Sequence, residues 1–257
     1  MATTAVPDTD ALLVEVITDA GDFPEAFHCI SEAFGTQTHD AIWCAFNPGW
    51  DTPEGQAVGA GNLLKRWEST TADINGNPKT VFLKATLPSP NQASRRIIVG
   101  VAIWEQTSAV EGYGNLIPAT LRETGMDLEA RYPGNETEQR FLEQMWRELL
   151  KKRRAFVAAK AAAKADPPAV MALDLCATHP AFQRRGAASK MVQWGLDEAR
   201  RRGIPDCTTE ASSMGRHAYA RLGFQPQGGD IVYELDDEFA DRDRPPNLFM
   251  LYSHSFE

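Results

Sequence analysis

The stretch VMALDLCATHPAFQRRGAA, starting at Val170, constrains the fold more than any other part of the chain. A run of β-forming residues stops at Pro180 and empties into a basic turn holding one glycine, and a helical pattern follows. The stretch therefore reads as strand, turn and helix start. At a period of two, Met171, Leu173, Leu175 and Ala177 share one face, while Val170, Ala172, Asp174, Cys176 and Thr178 share the other. A central strand ordinarily carries large apolar residues on both faces. The second face here is small or polar, so it is expected to border a groove, with Asp174 as its acid. In the turn QRRGAA the first helical N–H groups have no partner inside the helix, and Gly186 permits close approach to them. Such a terminus suits phosphate oxygens, and Arg184 and Arg185 add positive charge beside it.

The 257 residues, 43% of them hydrophobic, suffice for one large core, and residues 1–257 read as a single decorated α/β domain. A formal net charge of −9 argues against nucleic acid and anionic membranes as partners. No apolar run approaches the roughly 18 residues that span a bilayer. Residues 1–10 lack the basic and apolar regions of a signal peptide, so a cytoplasmic protein is the expectation. Cys29, Cys44, Cys176 and Cys207 form no C-x-x-C pair, and the histidines show no metal-ligand spacing. Neither a disulfide framework nor a metal site is indicated.

Residues 12–18, LLVEVIT, alternate as a first strand, and FPEAFHCISEAFG sets Phe23, Phe27, Ile30 and Phe34 at helical spacing with Gly35 as the stop. An irregular Gly- and Pro-rich region carrying Trp43, Phe46 and Trp50 precedes the helical NLLKRWEST. KTVFLKATL and RRIIVGVAIWEQ are two β-runs around the turn-rich PSPNQAS. Residues 107–168 read as an insertion. Its second half is one long helical pattern with a capping-box-like Asn135 and Glu138, an apolar stripe of Phe141, Met145 and Leu149, and Pro167 and Pro168 as its stop. The basic run 151–154 on it reads as a solvated face. Further on, Ala188, Val192, Gly195 and Ala199 form the stripe by which a helix approaches the sheet, and DCTTEAS is a strand with Thr208, Glu210 and Ser212 on one face. Ser212 or Ser213 caps a short helix holding Tyr219, and IVYEL reads as the final strand. The acidic, Pro-containing tail from about residue 236 shows little sign of function.

The turn Gln183, Arg184, Arg185, Gly186, Ala187, Ala188 resembles the pyrophosphate-binding motif of the GNAT superfamily of acyl-CoA-dependent N-acetyltransferases. That motif is Gln or Arg, two residues, Gly, one residue, then Gly or Ala. Downstream, TEASSMGRHAYARLGF resembles the segment that holds the family's tyrosine four residues ahead of a glycine, here Tyr219 and Gly223. The paired match is strong over 169–224 and loose over the N-terminal half. Its departures are Ala188 in place of Gly and Ser212 where Asn is common. The resemblance implies a GNAT-type mixed, mostly antiparallel central sheet flanked by helices, splayed at the strand 170–178 and carrying an inserted long helix. It also implies acetyl-CoA as acyl donor and no metal. Backbone groups at Leu175, Cys176, Ala177 and Thr178 would take the pantetheine arm, and the turn from Gln183 to Ala188 with Ser189 would take the pyrophosphate. Ser212 and Arg216 would add contacts from the helix start near Tyr219. Trp43, Phe46 and Trp50 fall where family members place variable acceptor-binding helices; they either line an acceptor pocket or close the core beneath a loop.

Forming an amide from a thioester and an amine needs a neutral amine, a polarised carbonyl and a proton for the departing thiolate. An alkyl ammonium has a pKa near ~10.4, so at neutral pH a base must take its proton. Asp174 is the first candidate base, and Glu210 on the neighbouring strand is the alternative base or the anchor for a cationic acceptor. Asp174 has a competing reading as a buried carboxylate held by hydrogen bonds or an arginine. Tyr219 is the candidate acid for the coenzyme A sulfur. Cys176 has no His or Asp placed by sequence to activate it and reads as a small buried residue. The expected chemistry is direct acetyl transfer to a primary amine of a small molecule in a ternary complex. Its rivals are a protein lysine or N-terminal acetyltransferase and a non-catalytic acyl-CoA-binding module.

Overall fold

The computed structural model describes residues 12–254, and the opening residues read above for a leader lie outside them. Among the described residues, one sheet contains β1 (Leu13–Val16), β2 (Thr80–Ser89), β3 (Gln92–Thr107), β4 (Val170–Thr178), β5 (Asp206–Ala211), β6 (Gln225–Pro226) and β7 (Leu248–Ser253). The order across it is β1-β2-β3-β4-β5-β7-β6, and every neighbouring pair is antiparallel except β4 with β5. The expected hairpin is β2 and β3, with Leu87 opposite Ile97 and Thr80 opposite Glu105. The helices are α1 (Phe23–Ser31), α2 (Ala41–Phe46), α3 (Pro53–Glu68), α4 (Leu128–Arg131), α5 (Glu136–Leu149), α6 (Lys151–Ala162), α7 (Ala187–Arg201) and α8 (Gly215–Arg221). No helix among the described residues is long and apolar enough to cross a membrane.

Helix α7 covers one face of the sheet. Its Met191, Val192 and Leu196 pack with Leu83, Trp104, Met171 and Leu173. Gly195 is there because a Cβ at its position would lie 1.9 Å from Cε2 of Trp104, so only glycine lets the helix settle on that indole. The indole N–H also donates to the carbonyl of Met191 at 3.2 Å. Helices α1 and α3 cover the other face, where Ala26 and Ile30 meet Ala177, and Phe23 meets Phe82 and Ile103.

The strand faces of β4 are not those of an unbroken period of two. Ile103 pairs with Leu175 and Trp104 with Leu173, which leaves Asp174 as an extra residue opposite no partner. A bulge of one residue reverses the parity beyond it. Met171 and Leu173 therefore pack toward α7, whereas Leu175 and Ala177 pack toward α1 and α3. Cys176, expected on the opposite face from Leu173, packs with it on the α7 side.

Three further expectations are corrected. Gly35 does not stop α1; the chain continues as a π-helical turn over Glu32–Gln37. The glycine lies under Trp50, whose ring would stand 2.5 Å from an added Cβ. The helical run of the insertion is divided at Leu150 (φ −91°, ψ 2°) into α5 and α6, and the apolar stripe of Phe141 and Met145 packs on Ile42, Ile231, Tyr233 and Phe239. IVYEL alternates in burial, with Ile231 and Tyr233 inside and Val232 and Glu234 outside, but it forms no strand. The last strand comes instead from the tail, where β7 inserts between β5 and β6.

Candidate active site

Strands β4 and β5 run parallel but pair only through Met171 with Cys207, Ala172 with Thr208 and Leu173 with Thr209. Beyond Leu173 they part. The His179 N–H donates to the Val99 carbonyl at 2.9 Å, and Ala177 stands opposite Val101. At two-residue steps the backbone groups of Ala177 and Leu175 thus face β3, and those of Cys176 and Thr178 face the gap. The Thr178 carbonyl accepts the Gln183 side-chain amide at 3.2 Å, and the buried Thr178 hydroxyl has no partner.

The turn after β4 has Arg184 and Gly186 in the left-handed region, at φ 63° and 88°. Helix α7 begins at Ala187 with no side-chain cap, which leaves the N–H groups of Ala187, Ala188 and Ser189 without helical acceptors. Gln183 also donates to Gln37 at 2.7 Å, tying the turn to the end of the π-helical segment. Arg184 and Arg185 are exposed, and the Arg185 guanidinium lies 5.7 Å from the Phe182 ring centre. A cavity of about 1290 Å³ joins this turn to the gap between β4 and β5, then runs past Tyr219 to Phe34, Thr38 and Asp40. Free N–H groups with flanking cations fit a pyrophosphate, and an unpaired strand edge fits an extended, amide-bearing chain.

Tyr219 is 7% exposed and lies back along its short helix over Gly215, where a Cβ would come within 2.8 Å of its ring. Burial raises its phenol pKa well above the ordinary value, and the neighbouring Cys176 adds to the effect. The phenol therefore keeps its proton at neutral pH and is a donor. Burial also pushes the Cys176 thiol up to about 12, against a smaller downward pull from the Tyr219 hydrogen bond. Cys176 is a thiol and not a ready nucleophile.

Asp174 is taken by two arginines. Arg66 Nη2 stands 2.8 Å from Asp174 Oδ2, and Arg153 Nη1 stands 3.0 Å from Oδ1. Burial alone would raise this carboxyl, but the two guanidinium groups outweigh it and hold the pKa at about 2. Asp174 is thus an arginine-held carboxylate, as in the competing reading, with both oxygens engaged by guanidinium groups. Glu210 is held by the same Arg153, whose Nε stands 3.1 Å from Glu210 Oε1. Burial raises the Glu210 carboxyl while Arg153 opposes it, and neither Asp174 nor Glu210 lines the cavity. The basic run 151–154 is accordingly not a solvated face throughout. The Arg153 side chain is 3% exposed, because buried Glu210 and half-buried Asp174 both need it.

The other expected residues divide. Ser212 lines the cavity and accepts the Gly215 N–H at 3.2 Å. Arg216 is turned away, pairing with Asp230 at 3.0 Å and donating to the Pro246 carbonyl of the tail. Trp43 packs among Phe27, Phe34 and Trp50 at ring-centre distances of 5.9, 6.2 and 5.8 Å. Phe46 packs between α5 and the tail. None of Trp43, Phe46 and Trp50 lines the cavity; the aromatic cluster reaches it through Phe34.

Several lining groups were not anticipated from sequence. Asp40 starts α2 by accepting the Trp43 N–H at 2.9 Å, and burial raises its carboxyl pKa. Residues Asp243 to Pro246 close one wall, so the tail is part of the site. Arg66 and Arg153 had only one signal, an acid on a buried strand that required a cation from somewhere.

Residues 122–224 match the acetyltransferase (GNAT) family. No curated protein matches the chain in sequence. Among solved structures, arylalkylamine N-acetyltransferase 2 from Aedes aegypti is similar over 95% of this chain and 99% of its own, with 15% identity and a TM-score of 0.56. The polyamine N-acetyltransferase of Drosophila melanogaster is similar over 96% of this chain and 100% of its own, at 13% identity and TM-score 0.55. A Corynebacterium glutamicum protein described as histone acetyltransferase HPA2 and related acetyltransferase is similar over 96% and 98%, at 18% identity and TM-score 0.50. At such identities the likeness is one of fold. Over residues 122–224 the chain matches the GNAT acetyltransferase family, and as a whole it has the fold of the solved GNAT acetyltransferases.

Proposed function

We propose that this protein transfers an acetyl group from acetyl-CoA to a primary amine of a small molecule, by direct attack in a ternary complex. The observation that carries this reading is that one slot is lined together by the uncapped start of α7, by Cys176 and Thr178 on the open edge of β4, and by the phenol of Tyr219. When bound, acetyl-CoA supplies the activated thioester. The turn from Gln183 to Ser189 holds the pyrophosphate, with Arg184 and Arg185 adding charge. The inward backbone of Cys176 and Thr178 pairs with the amide-bearing arm, and an N–H on that edge polarises the carbonyl. The amine nitrogen attacks the carbonyl carbon, the carbon–sulfur bond breaks, Tyr219 gives its proton to the sulfur, and the proton that the acylated nitrogen releases restores the phenol. Cys176 stays a thiol, so no acyl-enzyme forms. With Asp174 and Glu210 held by arginines, the ammonium proton goes to Asp40, directly or through water, because Asp40 is a carboxylate on the cavity wall.

The acceptor class rests on the cavity wall at Asp40 and on the amines named for the similar Aedes and Drosophila enzymes. The test is to incubate the protein with acetyl-CoA and a panel of arylalkylamines, polyamines and lysine peptides. Free coenzyme A thiol and acetylated products are followed by mass spectrometry. Acetylation of the small amines is expected. Product on peptides alone would move the assignment to a protein acetyltransferase, and coenzyme A binding without any product would favour a non-catalytic module.

A further inference from the structure

The parallel ladder of β4 and β5 ends at Leu173 and Thr209, and the next residue on each strand is an acid, Asp174 and Glu210. One guanidinium binds both. Arg153 reaches Asp174 Oδ1 through Nη1 at 3.0 Å and Glu210 Oε1 through Nε at 3.1 Å, with a further Nη2 contact to Glu210. It comes from α6, in the segment between β3 and β4, and its side chain is 3% exposed. The bulge turns the Asp174 carboxylate toward α3 and α6, where this arginine lies. We propose that Arg153 is a positioning residue that holds β4 and β5 apart and thereby sets the width of the acyl-CoA slot. The proposal rests on the slot's being the acyl-CoA site, as argued above.

The physical case is one of geometry. A guanidinium is a rigid planar fork, so two carboxylates bound to its different edges are kept at a separation fixed by the fork. Without it, buried Glu210 loses its cation and Asp174 keeps only Arg66, and the strands lose the link that fixes their separation. Arg66 is a built-in comparison. It lies 2.8 Å from Asp174 Oδ2 and 3.7 Å from Glu105 Oε2, so it balances charge at the same acid without spanning the gap to Glu210.

The experiment compares wild type, Arg153→Lys and Arg66→Lys by calorimetric titration with coenzyme A, by steady-state kinetics, and by crystal structures of the free proteins. Lysine keeps the charge but as a point that cannot bridge both acids. Expected for Arg153→Lys are a coenzyme A Kd weaker by about tenfold, a matching rise in acetyl-CoA KM, and kcat at saturation changed by less than about threefold. Its structure should show a changed separation of β4 and β5 just beyond Leu173 and Thr209, at Asp174 and Glu210. Arg66→Lys should change Kd less than about twofold. Wild-type affinity and an unaltered separation in Arg153→Lys would overturn the proposal, as would an equal loss in Arg66→Lys. Should Arg153→Lys not fold, Glu210→Gln removes the far anchor at unchanged size, and the same three readouts decide. If wild type binds no coenzyme A, the slot assignment fails, while the separation in the variant structure still tests the spacer.

Discussion

Tyr219 and Cys176 share one small buried space, and burial decides the chemistry of both. Because the phenol is held protonated, Tyr219→Phe should lower kcat by about 100-fold and leave coenzyme A affinity unchanged, checked by turnover against calorimetric titration. Because the thiol is pushed up to about 12, Cys176→Ala should retain activity within about threefold, and mass spectrometry should detect no acetylated protein during turnover. Asp174 is a residue of stability. Removing its charge takes one carboxylate from each of two arginines at a half-buried site, so Asp174→Asn should cost about 1–2 kcal/mol in urea unfolding. The pH dependence follows in sign. In the fold its carboxyl sits at about 2, below the ordinary 3.8, so between those values the unfolded chain binds more protons than the folded one. This contribution is present above about pH 4 and is lost as pH falls toward about 2. Urea midpoints of wild type and Asp174→Asn should therefore converge across that window.

At the scale of elements, what was legible was what a few neighbouring residues settle. The hairpin of β2 and β3, the cap that Asn135 provides to the Glu138 N–H at 3.2 Å, and the glycine turn into α7 all arise within one short window. The stripe of small residues on α7 was legible in the same way, and its Gly195 has a sharp consequence. A methyl group there meets Trp104, which is fully buried, so the helix must lift or the indole must move. Gly195→Ala should lower stability by about 2 kcal/mol by denaturant titration, although alanine is the better helix former. The bulge at Asp174 was not legible, because it is a mismatch of register with β3 and changes nothing in the composition of β4. Half of the face assignment of β4 inverted for that reason.

For the whole molecule, the tail matters more than its sequence suggests. Strand β7 pairs with β5 from Ala211 opposite Leu248 to Asp206 opposite Ser253, and it also holds β6. Ending the chain after residue 235 would leave β5 as an open edge beside the site and remove one cavity wall. Such a truncation should lose its near-ultraviolet circular dichroism and its cooperative unfolding.

The sequence by itself determined the strand, turn and helix start around Gly186, the short helix of Tyr219 and the α/β alternation. These depend on periodicity, caps and the conformational freedom of glycine, all of which act over a few residues. Only the tertiary structure decided that Asp174 and Glu210 serve as anchors for Arg153, that Trp43 and Trp50 close the core, and that the tail completes the sheet. Those outcomes depend on which distant groups meet in a buried place. A carboxylate is a base when water or an amine faces it, and a strut when guanidinium groups do.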